Sequence, residues 1–263
     1  MHVREYGDGP VVVLLHAFPC DGRMWEPQAQ RIAAAGWRVL VPDLPGFGQS
    51  PLLDGEPDLA PVADAVLAEL DGRDISRAVV GGVSLGGYVA MAIVRARPSL
   101  LAGLALCDTK ATADNEEARA NRERLALLAI DAGPDVGRVL EQAVLPGLLG
   151  DTTRASRPET VERVRGWLDD ADAASVAWYQ RAMARRPDSI MDLADSDLPT
   201  LVVWGEEDAL SDRAEQDRMT AAVSDATLVV VPGAGHLANV EAPDTVSGAL
   251  VQYLEVVRGP RHA

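Results

Sequence analysis

At 263 residues, the chain is long enough for one α/β domain carrying an insertion. Hydrophobic residues make up 48 % of it and aromatics only 4 %, so the core must rest on Val, Leu, Ala and Ile. A formal net charge of −16 lacks the basic footprint that nucleic-acid binding needs and offers no attraction to anionic lipid.

The opening residues MHVREYGDGP contain no apolar signal core. No run reaches the roughly 18 apolar residues of a membrane span. A cytoplasmic location, with no membrane or nucleic-acid partner, is therefore the expectation. Cys20 and Cys107 are too few for a disulfide framework.

In chain order, residues 2–6 suggest an edge strand before a Gly7-Asp8-Gly9 turn. Residues 11–16, VVVLLH, form an unbroken apolar run, which predicts a strand buried on both faces. A helix is expected over 24–35, a second buried strand over 39–41, then a helix over 59–70 and a strand over 78–82. Residues 85–96 are nearly all apolar and predict a helix lying against the sheet. A fourth buried strand, 101–107, ends in Cys107.

There the rhythm breaks. Residues 109–194 read as helices over 115–132, 135–144, 159–170 and 173–184, punctuated by Pro134, Pro146, Pro158 and Pro187. Strands return at 201–204 and 228–231 with a helix over 214–223 between them. A last helix, 243–257, opens on Pro243, Asp244 and Thr245, which suits a helix N-terminus. The alternation predicts an α/β class, with a mostly parallel twisted sheet, helices on both faces and a helical insertion. The expected division is a core in two parts, residues 1–108 and 195–263, around the insertion 109–194.

The first chemical signal is G-x-S-x-G at Gly82-Val83-Ser84-Leu85-Gly86. At this spacing a serine sits on a tight, strained strand-to-helix turn, with glycines where the chain packs too closely for a Cβ atom. The turn exposes the Ser84 hydroxyl beside a helix N-terminus, whose free N–H groups favour negative charge. The five residues alone are a weak pattern; the strand before them and the apolar helix after them give it meaning.

A serine hydroxyl needs a general base. Of the four histidines, His2 and His262 lie at the chain ends and are expected to be disordered. His16 closes the first buried strand and is expected to orient the following loop. His236, in the glycine-rich loop VVPGAGHLANVEAP, is expected to be the base. Its carboxylate partner is expected to be Asp208, just past the strand in LVVWGEEDAL, with Asp108 as the rival because it ends a strand on the same sheet edge. The order Ser84, Asp208, His236 then matches the chain order of α/β-hydrolases. For an oxyanion, one donor should be Leu85 N–H; the other should come from His16-Ala17-Phe18-Pro19, at Phe18 N–H or alternatively Ala17 N–H.

The segments LLHAFP, VPDLPGFGQS, GGVSLGGYVA, LPTLVVWGEEDAL and VPGAGHLANVEAP together resemble the α/β-hydrolase superfamily over nearly the whole chain. The chain looks most like small bacterial carboxylesterases and 3-oxoadipate enol-lactonases. The resemblance implies an eight-stranded sheet, a triad of Ser84, Asp208 and His236, no metal or cofactor, and a helical cap over residues 109–194. One departure is Ala17, where the family commonly has glycine after the histidine; a modest shift of the loop is expected from it.

The expected activity is hydrolysis of a small-molecule ester, thioester or lactone through an acyl-enzyme. C–C hydrolysis and cofactor-free perhydrolysis or haloperoxidation use the same residues. A non-catalytic ligand-binding protein is the alternative of a different class. Substrate contacts are expected from Trp25, Trp167 and Trp178, with Phe18, Leu125 and Leu128, although apolar residues at helical spacing more often pack a core. Arg122 and Arg124 offer either a carboxylate site or a solvated face.

Overall fold

The computed structural model describes residues 1–259. Its strands are β1 (Val3–Tyr6), β2 (Val11–Leu15), β3 (Arg38–Pro42), β4 (Ala78–Val83), β5 (Leu101–Cys107), β6 (Thr200–Gly205) and β7 (Ala226–Val231). They form one sheet in the order β1-β3-β2-β4-β5-β6-β7. β1 runs antiparallel to β3, and every other pairing is parallel. Strands β4 and β6 are buried at every position, as unbroken apolar runs in a two-faced sheet must be. The edge strand β7 is only partly covered. The resemblance implied eight strands, and the sheet has seven among the described residues, because a single four-residue strand precedes β2.

The helices are α1 (Glu26–Ala34), α2 (Leu59–Asp71), α3 (Leu85–Ala96), α4 (Glu116–Ala132), α5 (Val136–Ala143), α6 (Leu145–Leu148), α7 (Asp151–Ser156), α8 (Pro158–Asp169), α9 (Ala173–Arg185), α10 (Ile190–Ala194), α11 (Arg213–Ala222), α12 (Ala238–Glu241) and α13 (Pro243–Arg258). Helix α1 packs on α13, while α2, α3, α10 and α11 pack in succession. These two groups cover the sheet. Helix α3 is buried from Leu85 to Val94, so it is the central helix that its composition predicts. Helices α4 to α10 fall between β5 and β6, with α4 packed along α9 and α5 against α8. No helix among the described residues is long and apolar enough to cross a membrane.

Parallel pairing puts the carboxyl ends of β2 to β7 on one edge, where open α/β sheets bind their ligands. The loops leaving that edge carry His16, Asp43, Ser84, Asp108, Asp208 and His236. The expectation that His2 is disordered is corrected: its Nδ1 lies 2.9 Å from Asp43 Oδ2 and its backbone N–H donates to Ser50 Oγ at 2.9 Å. Asp43 anchors the N-terminus because it also accepts from Gly22 N–H, Gln49 N–H and Arg4. His262 lies outside the described residues.

Candidate active site

Ser84 joins β4 to α3 with φ +52° and ψ −111°, a left-handed geometry that costs a non-glycine residue of order 1–3 kcal/mol. The neighbours hold it there. Ser84 N–H donates to Cys107 O at 3.0 Å, and its carbonyl accepts from Thr109 Oγ1 at 2.9 Å. A Cβ on Gly82 would collide with the Gly86 backbone, and one on Gly86 with the Leu15 carbonyl. Only bare backbone lets strand, turn and helix approach this closely.

Beside Ser84 stands His236, from the loop after β7. Its Nε2 lies 2.7 Å from Ser84 Oγ, and its Nδ1 lies 2.9 Å from both carboxylate oxygens of Asp208. Asp208 sits three residues past β6, in a turn closed by its own carboxylate. Oδ1 accepts from Leu210 N–H at 2.8 Å and Ser211 N–H at 3.2 Å, and Oδ2 accepts from Ser211 Oγ at 2.5 Å. Burial pushes the Asp208 carboxyl up, but His236, Ser211 and Leu210 outweigh it and hold the group below the usual carboxylate range.

Asp108, the rival carboxylate, does not bond His236. Its Oδ1 accepts from Gly205 N–H at 2.7 Å and its Oδ2 from Ala238 N–H at 3.1 Å. It staples the ends of β5 and β6 to α12. Burial, with Asp208 nearby, raises its carboxyl well above the usual range. Reach decides between the two. Asp108 immediately follows its strand with φ +44°, whereas the extra residues after β6 carry Asp208 out to the imidazole.

His16 is fully buried. Nδ1 lies 3.0 Å from Ala17 O, and Nε2 accepts from Leu44 N–H at 2.9 Å. An acceptor role at Nε2 requires the neutral Nδ1–H tautomer, and burial lowers the pKa of this ring accordingly. His16 therefore ties the loop after β2 to the loop after β3. Ala17 N–H points at Met24 Sδ, 3.2 Å away, so this donor is engaged. The Phe18 ring packs edge-on against Phe47, and Phe47 packs on Tyr179 of α9. Leu85 N–H is at the first position of α3, where no intrahelical acceptor exists.

Sequence reasoning missed Glu241. This buried carboxylate accepts from Gly150, Gly235 and Leu237 N–H groups at 2.9, 2.9 and 3.3 Å. Two of these donors flank His236 and the third precedes α7. Burial raises its carboxyl above the ordinary value despite these bonds. Glu207 adds a second tie, accepting from Thr152 N–H at 2.8 Å. The only signal in the sequence was an acidic residue in NVEAP with no exposed helix face to occupy.

Ser84 and His236 open into a cavity of about 450 Å³ between the sheet edge and helices α4, α5, α6 and α9. Phe18, Leu125 and Leu128 line it as expected, together with Tyr88, Leu148 and Met183. The three tryptophans do not, which corrects their expected role. Trp25 is fully buried and donates from Nε1 to Leu15 O at 3.0 Å. Trp167 faces a separate crevice beside Arg23 and Met24. Trp178 donates from Nε1 to Gly55 O at 3.3 Å and packs on Tyr179. Arg122 and Arg124 do line the cavity, with Lys110 and Asp114. Among the described residues, no group of three or more His, Cys, Asp or Glu side chains is placed to hold a metal ion.

A parallel sheet between two helix layers, with a strained serine and a histidine on its carboxyl edge, defines the framework of a hydrolytic enzyme. The chain belongs to the alpha/beta hydrolase family, whose model matches residues 12–249. A thermophilic esterase from Thermogutta terrifontis, solved with malate bound, is 36 % identical with a TM-score of 0.92, over 97 % of this chain and 93 % of that one. The enol-lactonase from Burkholderia xenovorans LB400 is 26 % identical with a TM-score of 0.87, over 96 % and 95 %. The dihydrolipoyllysine-residue acetyltransferase component of the acetoin cleaving system from Pseudomonas putida is 30 % identical over 94 % of this chain; the match spans 64 % of that relative's length.

Proposed function

We propose that the protein is a serine hydrolase of carboxylic esters, thioesters or lactones, acting through Ser84, His236 and Asp208. The observation that carries this reading is the continuous line from Ser84 Oγ to His236 Nε2 at 2.7 Å and from Nδ1 to Asp208 at 2.9 Å. A base within hydrogen-bond reach of the hydroxyl, itself oriented by a carboxylate, is what activates a serine. The similarity to an esterase and an enol-lactonase supports the substrate class.

In the first step Ser84 Oγ attacks the carbonyl carbon while its proton passes to His236 Nε2. The electron pair moved onto the carbonyl oxygen is met by the N–H groups of Leu85 and Phe18. Collapse of the tetrahedral species expels the leaving oxygen or sulfur, which takes the proton from His236, and leaves an acyl ester on Ser84. Water, deprotonated by His236, then attacks that ester. A proton returns to Ser84 and the acid departs. The carboxylate of Asp208 holds the imidazole in the Nδ1–H tautomer and stabilises the imidazolium between the proton transfers. The helices of residues 109–194 act as a cap that walls the acyl site.

Ser84→Ala should lower p-nitrophenyl acetate hydrolysis by at least about 10⁴-fold with an unchanged melting curve. It should also abolish labelling by a fluorophosphonate probe. Turnover within tenfold of wild type would refute the assignment of Ser84.

A further inference from the structure

The charge lining the Ser84 cavity has the opposite sign to the molecule. In a chain of net charge −16, the cavity is lined by Lys110, Arg122 and Arg124 against one carboxylate, Asp114. That carboxylate is already committed. Asp114 is buried and accepts from Arg186 at 2.8 Å and from Arg122, with Lys110 Nζ 3.4 Å away. Arg186 lies behind the wall, over the Tyr88 ring at 4.2 Å and bonded to Met183 O and Thr112 O. One carboxylate is therefore shared among three cations, and Arg124 is paired with no carboxylate among the described residues.

Elsewhere many arginines are matched to carboxylates, and Arg77, Arg119, Arg138 and Arg218, unmatched among the described residues, are exposed and lie outside this cavity. Arg181 holds Glu123, Arg165 holds Glu141 and Glu162, and Arg97 holds Asp71. An excess of cations inside a cleft is thus a local departure. Low-dielectric walls focus such a field on a bound ligand. Arg122 and Arg124 approach from one helix, α4, and Lys110 from the loop after β5. Guanidinium forks suit the planar, two-oxygen geometry of a carboxylate. The remaining wall, with Leu125, Leu128 and Met183, suits a short aliphatic body.

Resting on the serine-hydrolase reading above, we propose that this cavity selects substrates carrying a carboxylate remote from the scissile bond. Lys110, Arg122 and Arg124 receive that carboxylate while Ser84 meets the ester or lactone carbonyl. The anion supplies the negative charge that Asp114 alone does not.

The test compares 4-nitrophenyl hydrogen glutarate with its uncharged methyl ester. The wild-type protein should favour the anionic ester by about tenfold or more in kcat/KM, the size of effect that one charge-assisted hydrogen bond gives. Arg122→Gln and Arg124→Gln should each cut this preference about tenfold. Arg138→Gln removes an equal charge from α5, outside the cavity lining, and should leave the preference unchanged. Glutarate binding to Ser84→Ala protein, measured by calorimetry, gives a readout that needs no turnover. It should weaken about tenfold when Arg124→Gln is added.

Equal turnover of the two esters would overturn the anion site and leave the hydrolase reading standing. Glutarate binding that depends on Arg124, in a protein whose wild type cleaves neither these esters nor p-nitrophenyl acetate and takes no fluorophosphonate label, would sustain the anion site and overturn the hydrolase reading. Glutarate affinity unmoved by both arginine substitutions would overturn the anion site outright.

Discussion

Removing the Asp114 carboxylate should be among the costliest single changes in the wall of the Ser84 cavity. The Asp114 side chain is fully buried and bonds the 5 %-exposed Arg186 side chain, so Asp114→Ala leaves a desolvated guanidinium without its counter-charge. Breaking a buried pair in this way costs about 3–5 kcal/mol. Arg186 keeps two carbonyl acceptors and the Tyr88 face, which argues for the lower end, about 3 kcal/mol. Arg122 and Lys110 can turn towards water, so losing their partner adds no more than about 1 kcal/mol. For a chain of this size that corresponds to a fall in Tm of about 6–12 °C at pH 7.

The loss should depend on pH in a defined direction. Burial pushes the Asp114 carboxyl up, but Arg186 and Arg122 more than reverse this and hold it below its ordinary value of 3.8. A carboxyl lowered by folding contributes stability that is complete above its unfolded value and is lost as the pH falls through the folded value. Thermal melts of both proteins from pH 7 down to pH 3 should show the gap narrowing below about pH 4. A gap under about 1 kcal/mol at pH 7, or one that does not narrow on acidification, would refute the reasoning.

Other consequences can be measured directly. Asp208→Asn should reduce kcat for p-nitrophenyl acetate by about 10³–10⁴-fold with little change in fold, whereas Asp108→Asn should act mainly on Tm, by loosening the junction of β5, β6 and α12. Gly86→Ala should yield protein that is unfolded or inactive, because the added methyl meets the Leu15 carbonyl; soluble, fully active protein would contradict the close approach. Cys20 and Cys107 are buried and their thiols are pushed up by burial, so a disulfide reagent should titrate neither in the native protein and both after denaturation.

The sheet was legible because a parallel sheet covered on both faces demands unbroken apolar runs, and the sequence supplies them at VVVLL, AVVGGV and LAGLALC. The helix boundaries of α2, α3 and α9 followed from apolar spacing. Helices α6, α7, α10 and α12 span four to six residues, too short for a 3.6-residue period to register. Ser84 and His236 could be picked out because each lies in a short, glycine-rich turn at the end of a strand. Asp108 and Asp208 could not be separated in the same way, since both end strands on the same edge. Their difference lies in how far the following turn reaches.

The tryptophans failed as pocket residues for a related reason. Periodicity shows that a side chain points inward, but not which interior it enters. Trp25 enters the main core and Trp167 a second crevice. Glu241 was invisible because its donors at Gly150 and Gly235 are far from one another in sequence and meet only in the folded chain.

Glu241 ties one side of the helical insertion to the loop of His236. Its Oε2 grips Gly150, just before α7, and its Oε1 grips Gly235 and Leu237 on either side of the imidazole. Lifting α7 away from the sheet would therefore pull on the loop that carries His236. On the other side, α4 and α9 border the cavity through side chains such as Leu125 and Met183, with no such tether to His236 among the described residues. The molecule is built like a door with one side bolted to the lock: the α7 side is held to the His236 loop by hydrogen bonds, and the α4 and α9 side meets the cavity through its side chains.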